Sequence, residues 1–125
     1  MPKALVIDDD DVARELIVSL LDAGGYETVG LPSPIGATQT IIEQRVEIVV
    51  LDLLMPALSG DKLAKMLRSN ARLANLVIVL VSSSDVEKLK ELAASVRADA
   101  VVSKAEIRKQ LIPTLISLRK RRVAS

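Results

Sequence analysis

Four short apolar runs in this sequence end in polar side chains able to do chemistry. Asp8-Asp9 follow Ala4-Leu5-Val6-Ile7, Asp52 follows Val46 to Leu51, Ser82 follows Leu76 to Val81, and Lys104 comes shortly after Ala98 to Val102. Two unit charges ~4 Å apart repel by about 1–4 kcal/mol at effective dielectrics of 80 to 20, so three carboxylates in one place require a compensating cation. Mg2+ fits that need, because it prefers oxygen ligands, keeps several waters and uses one or two carboxylates together with phosphate oxygens. Lys104 supplies a second positive charge. A carboxylate can itself attack phosphorus to give an acyl phosphate. Asp52, central among the three, is the candidate nucleophile, Asp8 and Asp9 are the candidate metal holders, and Ser82 is a hydrogen-bond donor for a phosphoryl oxygen.

Other chemistries are excluded by composition. The 125 residues contain no cysteine and no histidine, which removes disulfides, thiolate or imidazole zinc sites, thiol nucleophiles and histidine general bases. Seventeen basic and 16 acidic residues leave a formal charge of +1, so no global field favours nucleic acid or membrane. The local exception is Arg119-Lys120-Arg121-Arg122, which reads as favourable charge at a helix C-terminus or the start of a linker, and without interleaved aromatics it is a weak nucleic-acid signal. Met1-Pro2-Lys3 does not open a leader, and no apolar run approaches the ~18 residues of a membrane span, so a cytoplasmic protein is expected.

These residues need a scaffold that brings strand ends together. The three strongest apolar runs are rich in β-branched residues and, apart from Glu47, apolar at successive positions, as strands buried on both faces of a parallel sheet are. Thr28 to Leu31 and Ala98 to Val102 are weaker strand candidates. Segments of helical period lie between them. The first carries Val12, Leu16, Leu20 and Leu21, with Asp10 or Asp11 as cap and Gly24-Gly25 as stop. The second spans Ala37 to Gln44, and the third starts near Gly60 with Ser59 as cap. The fourth follows Asp85 with Leu89, Leu92, Ala93 and Val96. The fifth covers about Glu106 to Arg121, with Pro113 kinking it or marking its start.

Five strands alternating with five helices predict a doubly wound α/β fold: a five-stranded parallel sheet of flavodoxin-like order 2-1-3-4-5 with helices on both faces. Ligands of such sheets bind beyond the carboxyl ends of the strands, where strand order reverses between strands one and three. Three carboxylates then converge on one crevice. Lys104, roughly 10 Å to the side of Asp52 at the usual strand spacing, can reach across its mouth. Taken alone, Asp8 to Asp11 reads as a solvated turn capping a helix, Lys104 as a surface lysine and Ser82 as a loop hydroxyl. Their joint order along four strand ends argues for a site.

The segments VIDDDDVARELI, VVLDLLMPALSG, VIVLVSSSD and ADAVVSKAE resemble the four motif regions of bacterial two-component response-regulator receiver domains. The resemblance covers essentially the whole chain: residues 1–122 as the domain, with 123–125 as a tail or linker start. It implies that Asp52 is the phosphoacceptor, Asp8 and Asp9 the acidic pair, Ser82 the switch hydroxyl and Lys104 the phosphate contact. By the same likeness the backbone carbonyl of Leu54 would join Asp8, Asp9 and Asp52 as an Mg2+ ligand. It further implies a phosphoryl acceptor rather than an enzyme, fed by a sensor histidine kinase or a histidine phosphotransfer protein. Such a domain would signal to a downstream protein or an output domain through its fourth helix, fifth strand and fifth helix. Two positions depart from the family's habit: Val101 stands where receivers commonly carry Tyr or Phe, and Ala105 where they commonly carry proline. A phosphorylation-independent interaction module is the alternative that the missing aromatic favours. A haloacid-dehalogenase-like phosphatase needs a second Asp two residues after the nucleophile, where this chain has Leu54, and the glycines form neither GxGxxG nor a P-loop.

Overall fold

The computed structural model describes residues 1–55 and 58–124. Five parallel strands alternate with five α-helices: β1 (Lys3–Ile7), α1 (Asp11–Ala23), β2 (Glu27–Leu31), α2 (Ala37–Gln44), β3 (Ile48–Asp52), α3 (Gly60–Arg68), β4 (Val77–Ser82), α4 (Val86–Ser95), β5 (Ala100–Ser103) and α5 (Ile107–Ala124). The strands lie in the order β2-β1-β3-β4-β5, as expected. No helix among the described residues is long and apolar enough to cross a membrane.

Side chains alternate across the sheet, so each apolar run serves two cores. Leu5, Ile7, Val49, Leu51, Ile78 and Leu80 pack with Ile41 of α2, Leu63 and Leu67 of α3 and Ala93 of α4. Val6, Val50, Val79, Val81 and Val102 turn the other way, onto Ile17 and Leu21 of α1 and Leu111 and Leu115 of α5. The continuity of the runs thus reports burial on both faces.

Several boundaries differ from expectation. β3 begins at Ile48 rather than Val46, with Glu47 exposed just before it. Of the two residues offered as the cap of α1, Asp10 fills the position, as expected, its side chain accepting from the Val12 amide, and Asp11 sits in the first turn. Ser59 occupies the cap position of α3 but makes no capping hydrogen bond. α5 runs unbroken from Ile107 through Pro113, so the proline does not start it.

Candidate functional site

The register places the carboxyl ends of β1 and β3 side by side, with Ile7 opposite Leu51, and that of β4 next, with Val81 opposite Asp52. Asp8, one residue beyond β1, is wholly buried, and Asp52 ends β3 at 6% exposure. Asp9 is exposed beside them. Carboxylate oxygens of Asp8, Asp9 and Asp52 all lie within 4.8 Å of one another. Lys104, from the short helical turn after β5, extends over β4 to place Nζ 3.2 Å from Asp8 Oδ2 and 3.4 Å from Asp52 Oδ1. Four of the five expected side chains are therefore gathered in one cluster.

Ser82 stands at the end of β4, buried, with its Oγ accepting from the Ser84 amide at 3.0 Å. It makes no hydrogen bond to Asp52 or Lys104 among the described residues. Leu54 is 65% exposed and meets Asp52 through its amide, 3.4 Å from Oδ1.

The cluster carries a net electrostatic debt. Burial pushes the Asp52 carboxyl above its ordinary range and the negative charge of Asp8 pushes the same way, while Lys104 and the Leu54 amide offset this in part. At Lys104 burial opposes the ammonium, but the charges of Asp52 and Asp8 outweigh it and hold the lysine above its usual value. Asp8 Oδ1 accepts from the Asp10 amide at 2.9 Å, whereas Oδ2 has no hydrogen-bond partner, the Lys104 contact being an ion pair without hydrogen-bond geometry. A buried carboxylate oxygen that accepts no hydrogen bond, beside two further carboxylates, is an all-oxygen donor set, which suits a hard divalent cation such as Mg2+.

Sequence reasoning singled out Gly60 only as a helix start. A Cβ at this position would lie 2.4 Å from the Asp52 carbonyl oxygen and 3.0 Å from Leu53 Cα, both rigid backbone. The Gly60 amide also donates to the Leu53 carbonyl at 2.9 Å, which closes the loop after Asp52 onto α3. Gly60→Ala is expected to cost about 1–3 kcal/mol, the usual scale of overpacking, and to shift the Asp52 and Leu53 amides. Urea unfolding with amide mapping checks this; parental stability with unmoved amides would mean that the contact relaxes freely.

Comparison with known proteins places this geometry in context. Residues 4–116 match the family model described as the response regulator receiver domain. The chain is 26% identical over 117 residues to the phosphate regulon transcriptional regulatory protein PhoB of Pseudomonas aeruginosa, covering 94% of this chain and 51% of that protein. It is 25% identical over 105 residues to the polar-differentiation response regulator DivK of Brucella anthropi, covering 83% of this chain and 85% of DivK. The chain thus spans about half the length of PhoB but most of DivK. Among solved structures, the Francisella response regulator 1452 receiver domain superposes with a TM-score of 0.85 at 26% identity, over 97% of this chain and 98% of that one. A response regulator receiver domain protein from Clostridium thermocellum gives 0.85 at 20% identity with full coverage of both chains, a likeness of fold.

Proposed function

The chain belongs to the response regulator receiver domain family, and on that premise we propose that it is a phosphoacceptor, phosphorylated on Asp52 with Mg2+ held by Asp8, Asp9, Asp52 and the Leu54 carbonyl. The observation that carries this reading is the convergence of three carboxylates and Lys104 on one strand-end crevice. A carboxylate oxygen of Asp52 attacks the phosphorus of a phosphohistidine on a sensor kinase or phosphotransfer protein. The P–N bond breaks, the imidazole leaves with a proton, and an aspartyl phosphate remains. Bound Mg2+ would screen the charge gathered by the carboxylates and phosphoryl oxygens. Lys104, already paired with Asp52, moves its charge onto the new oxygens, and the Ser82 hydroxyl donates to one of them. In this reading residues 1–122 form the working unit, it acts in the cytoplasm, and it is not itself an enzyme.

Acetyl phosphate and Mg2+ should together add one phosphoryl group, read by intact-protein mass, with chelation of the metal preventing it. No adduct under either condition would favour the phosphorylation-independent module.

The output surface should respond unevenly. Val101 lines a groove of about 630 Å3 between α4, β5 and α5, with Ala93, Ala98 and Ala100. A valine is stiff at its first torsion and too small to swing between two distant seats. A ligand shifts an equilibrium only through its differential affinity for two states, and here Ser82 can supply that difference. Beryllofluoride should therefore perturb backbone amides from Ser82 to about Lys88 more than those near Val101. Larger changes around Val101 in an amide chemical-shift map would reveal another coupling route.

A further inference from the structure

Arg14 takes no part in the chemistry just described, yet it holds the backbone at Asp8. Its side chain leaves α1 only 18% exposed. Nη1 donates to the Asp8 carbonyl oxygen at 2.7 Å, and Nη2 pairs with Asp11 Oδ1. The Asp8 amide donates to the Leu31 carbonyl at 3.2 Å, and its Oδ1 accepts from the Asp10 amide. With the Arg14 contact added, the peptide joining Asp8 to Asp9 is fixed at its carbonyl as well. Asp9, the exposed member of the cluster, leaves the chain directly from that peptide.

The stem of Arg14 has a made seat. Gly30 of β2 pairs with Val6, which faces α1 and α5, and a Cβ at position 30 would meet Arg14 Cδ at 3.3 Å, Cγ at 3.5 Å and Nε at 3.7 Å. Gly30 is not among the positive-φ glycines, so its backbone would accept other residues. What the missing side chain provides is room for the arginine.

We propose that Arg14, seated on Gly30, is a positioning residue that sets the Asp8–Asp9 peptide so that the Asp9 carboxylate is aimed at the divalent cation. This rests on the metal site proposed above. Its sign is opposite to the simple electrostatic one, in which a guanidinium near the site repels Mg2+ and its removal tightens binding.

Arg14→Lys, Arg14→Met and Gly30→Val separate the two. Lysine keeps the charge but is a point donor that cannot bridge Asp8 and Asp11 as the planar fork does. Gly30→Val leaves Arg14 in the chain but fills its seat, and a β-branched residue suits a strand, so stability should hold or rise. Calorimetric titration with Mg2+ should show all three weakened by about 10-fold, the scale seen when a residue orienting a metal ligand is lost. Amide shifts should change over Asp8 to Asp11 in the metal-free protein. Parental affinity in Arg14→Lys with tighter binding in Arg14→Met would overturn the clamp in favour of charge. Parental affinity in Gly30→Val would overturn the seat. Absence of Mg2+ binding by the parent itself would overturn the metal site and this proposal together, an outcome distinct from the other two.

Discussion

Asp52→Asn should take up no phosphoryl group from acetyl phosphate and, without metal, should be more stable than the parent by about 1 kcal/mol, the low end of the repulsion between two close carboxylates. The first effect follows because an amide is not a nucleophile toward phosphorus and neither Asp8 nor Asp9 replaces it: Asp8 is wholly buried and Asp9 lies out on the exposed turn. The second follows from the raised pKa of Asp52, whose burial and proximity to Asp8 outweigh what Lys104 returns. A carboxyl that binds its proton more tightly in the folded state than in the unfolded state loses stability as pH rises through its folded pKa. The ionised parent bears that cost at neutral pH, and asparagine does not. The stability gap between the two proteins should therefore narrow as pH falls toward the ordinary carboxylate range of about 4, where the parent also becomes neutral at this position. Mg2+ should narrow or reverse the gap from the other side by stabilising the parent more than the variant. Mass after phosphodonor treatment and urea midpoints at two pH values measure all of this. A persisting adduct would displace Asp52 as acceptor, and a variant less stable than the parent at neutral pH would mean that the Lys104 pair outweighs the repulsion.

The strand-end cluster was legible because its signals are local and its geometry follows from topology. Once the apolar runs are taken as strands of a parallel sheet, the residue after each run must lie on one edge, and the order 2-1-3-4-5 brings Asp8 and Asp52 together. The reach of Lys104 follows from strand spacing. Less legible was whatever depends on contacts between segments far apart in sequence. Glu47 falls by position inside the run that makes β3, and its backbone bonds to Lys3 and Val77, yet the strand itself starts at Ile48. Ser59 has the right type for a cap and the right place, but its hydroxyl is not used. Gly60, Arg14 with Gly30, and Arg68 carry no pattern in sequence: a glycine near a helix start and arginines on amphipathic helices are commonplace. In each case the information lies in a backbone carbonyl that a partner happens to approach. Only the assembled fold supplies that.

Arg68 is the strongest instance, and its removal should cost about 3 kcal/mol, the lower end for breaking a buried ion pair. By sequence it is a basic residue in the last turn of a helix, where a favourable dipole interaction of a few tenths of a kcal/mol is the natural expectation. In the fold its side chain is 8% exposed and its guanidinium donates to the Arg97 carbonyl at 2.8 Å, the Leu76 carbonyl at 2.6 Å and Asp99 Oδ2 at 2.6 Å. Asp99 in turn accepts from the Ile78 amide at 2.8 Å and donates its own amide to the Ile78 carbonyl at 2.7 Å. One arginine thus ties the end of α3 to the start of β4 and to the connection between α4 and β5. Arg68→Ala withdraws a charged donor from the Asp99 carboxylate and from two carbonyls at once. Arg68→Lys should recover only part of the loss, since an ammonium lacks the planar fork. Asp99→Asn, which keeps an acceptor for Arg68 and for Ile78, should cost less than either. Because the two partners share one network, the loss in Arg68→Ala/Asp99→Ala should fall well short of the sum of the single losses. Urea midpoints of Arg68→Ala, Arg68→Lys, Asp99→Asn, Asp99→Ala and the double Ala variant decide the matter, and additive losses or a change under 1 kcal/mol in Arg68→Ala would show that these contacts act independently or are readily replaced by water. All of these contacts lie at the end of the sheet opposite Asp52 and Ser82. Acetyl phosphate labelling of the folded fraction should therefore remain at the parental level even as stability falls.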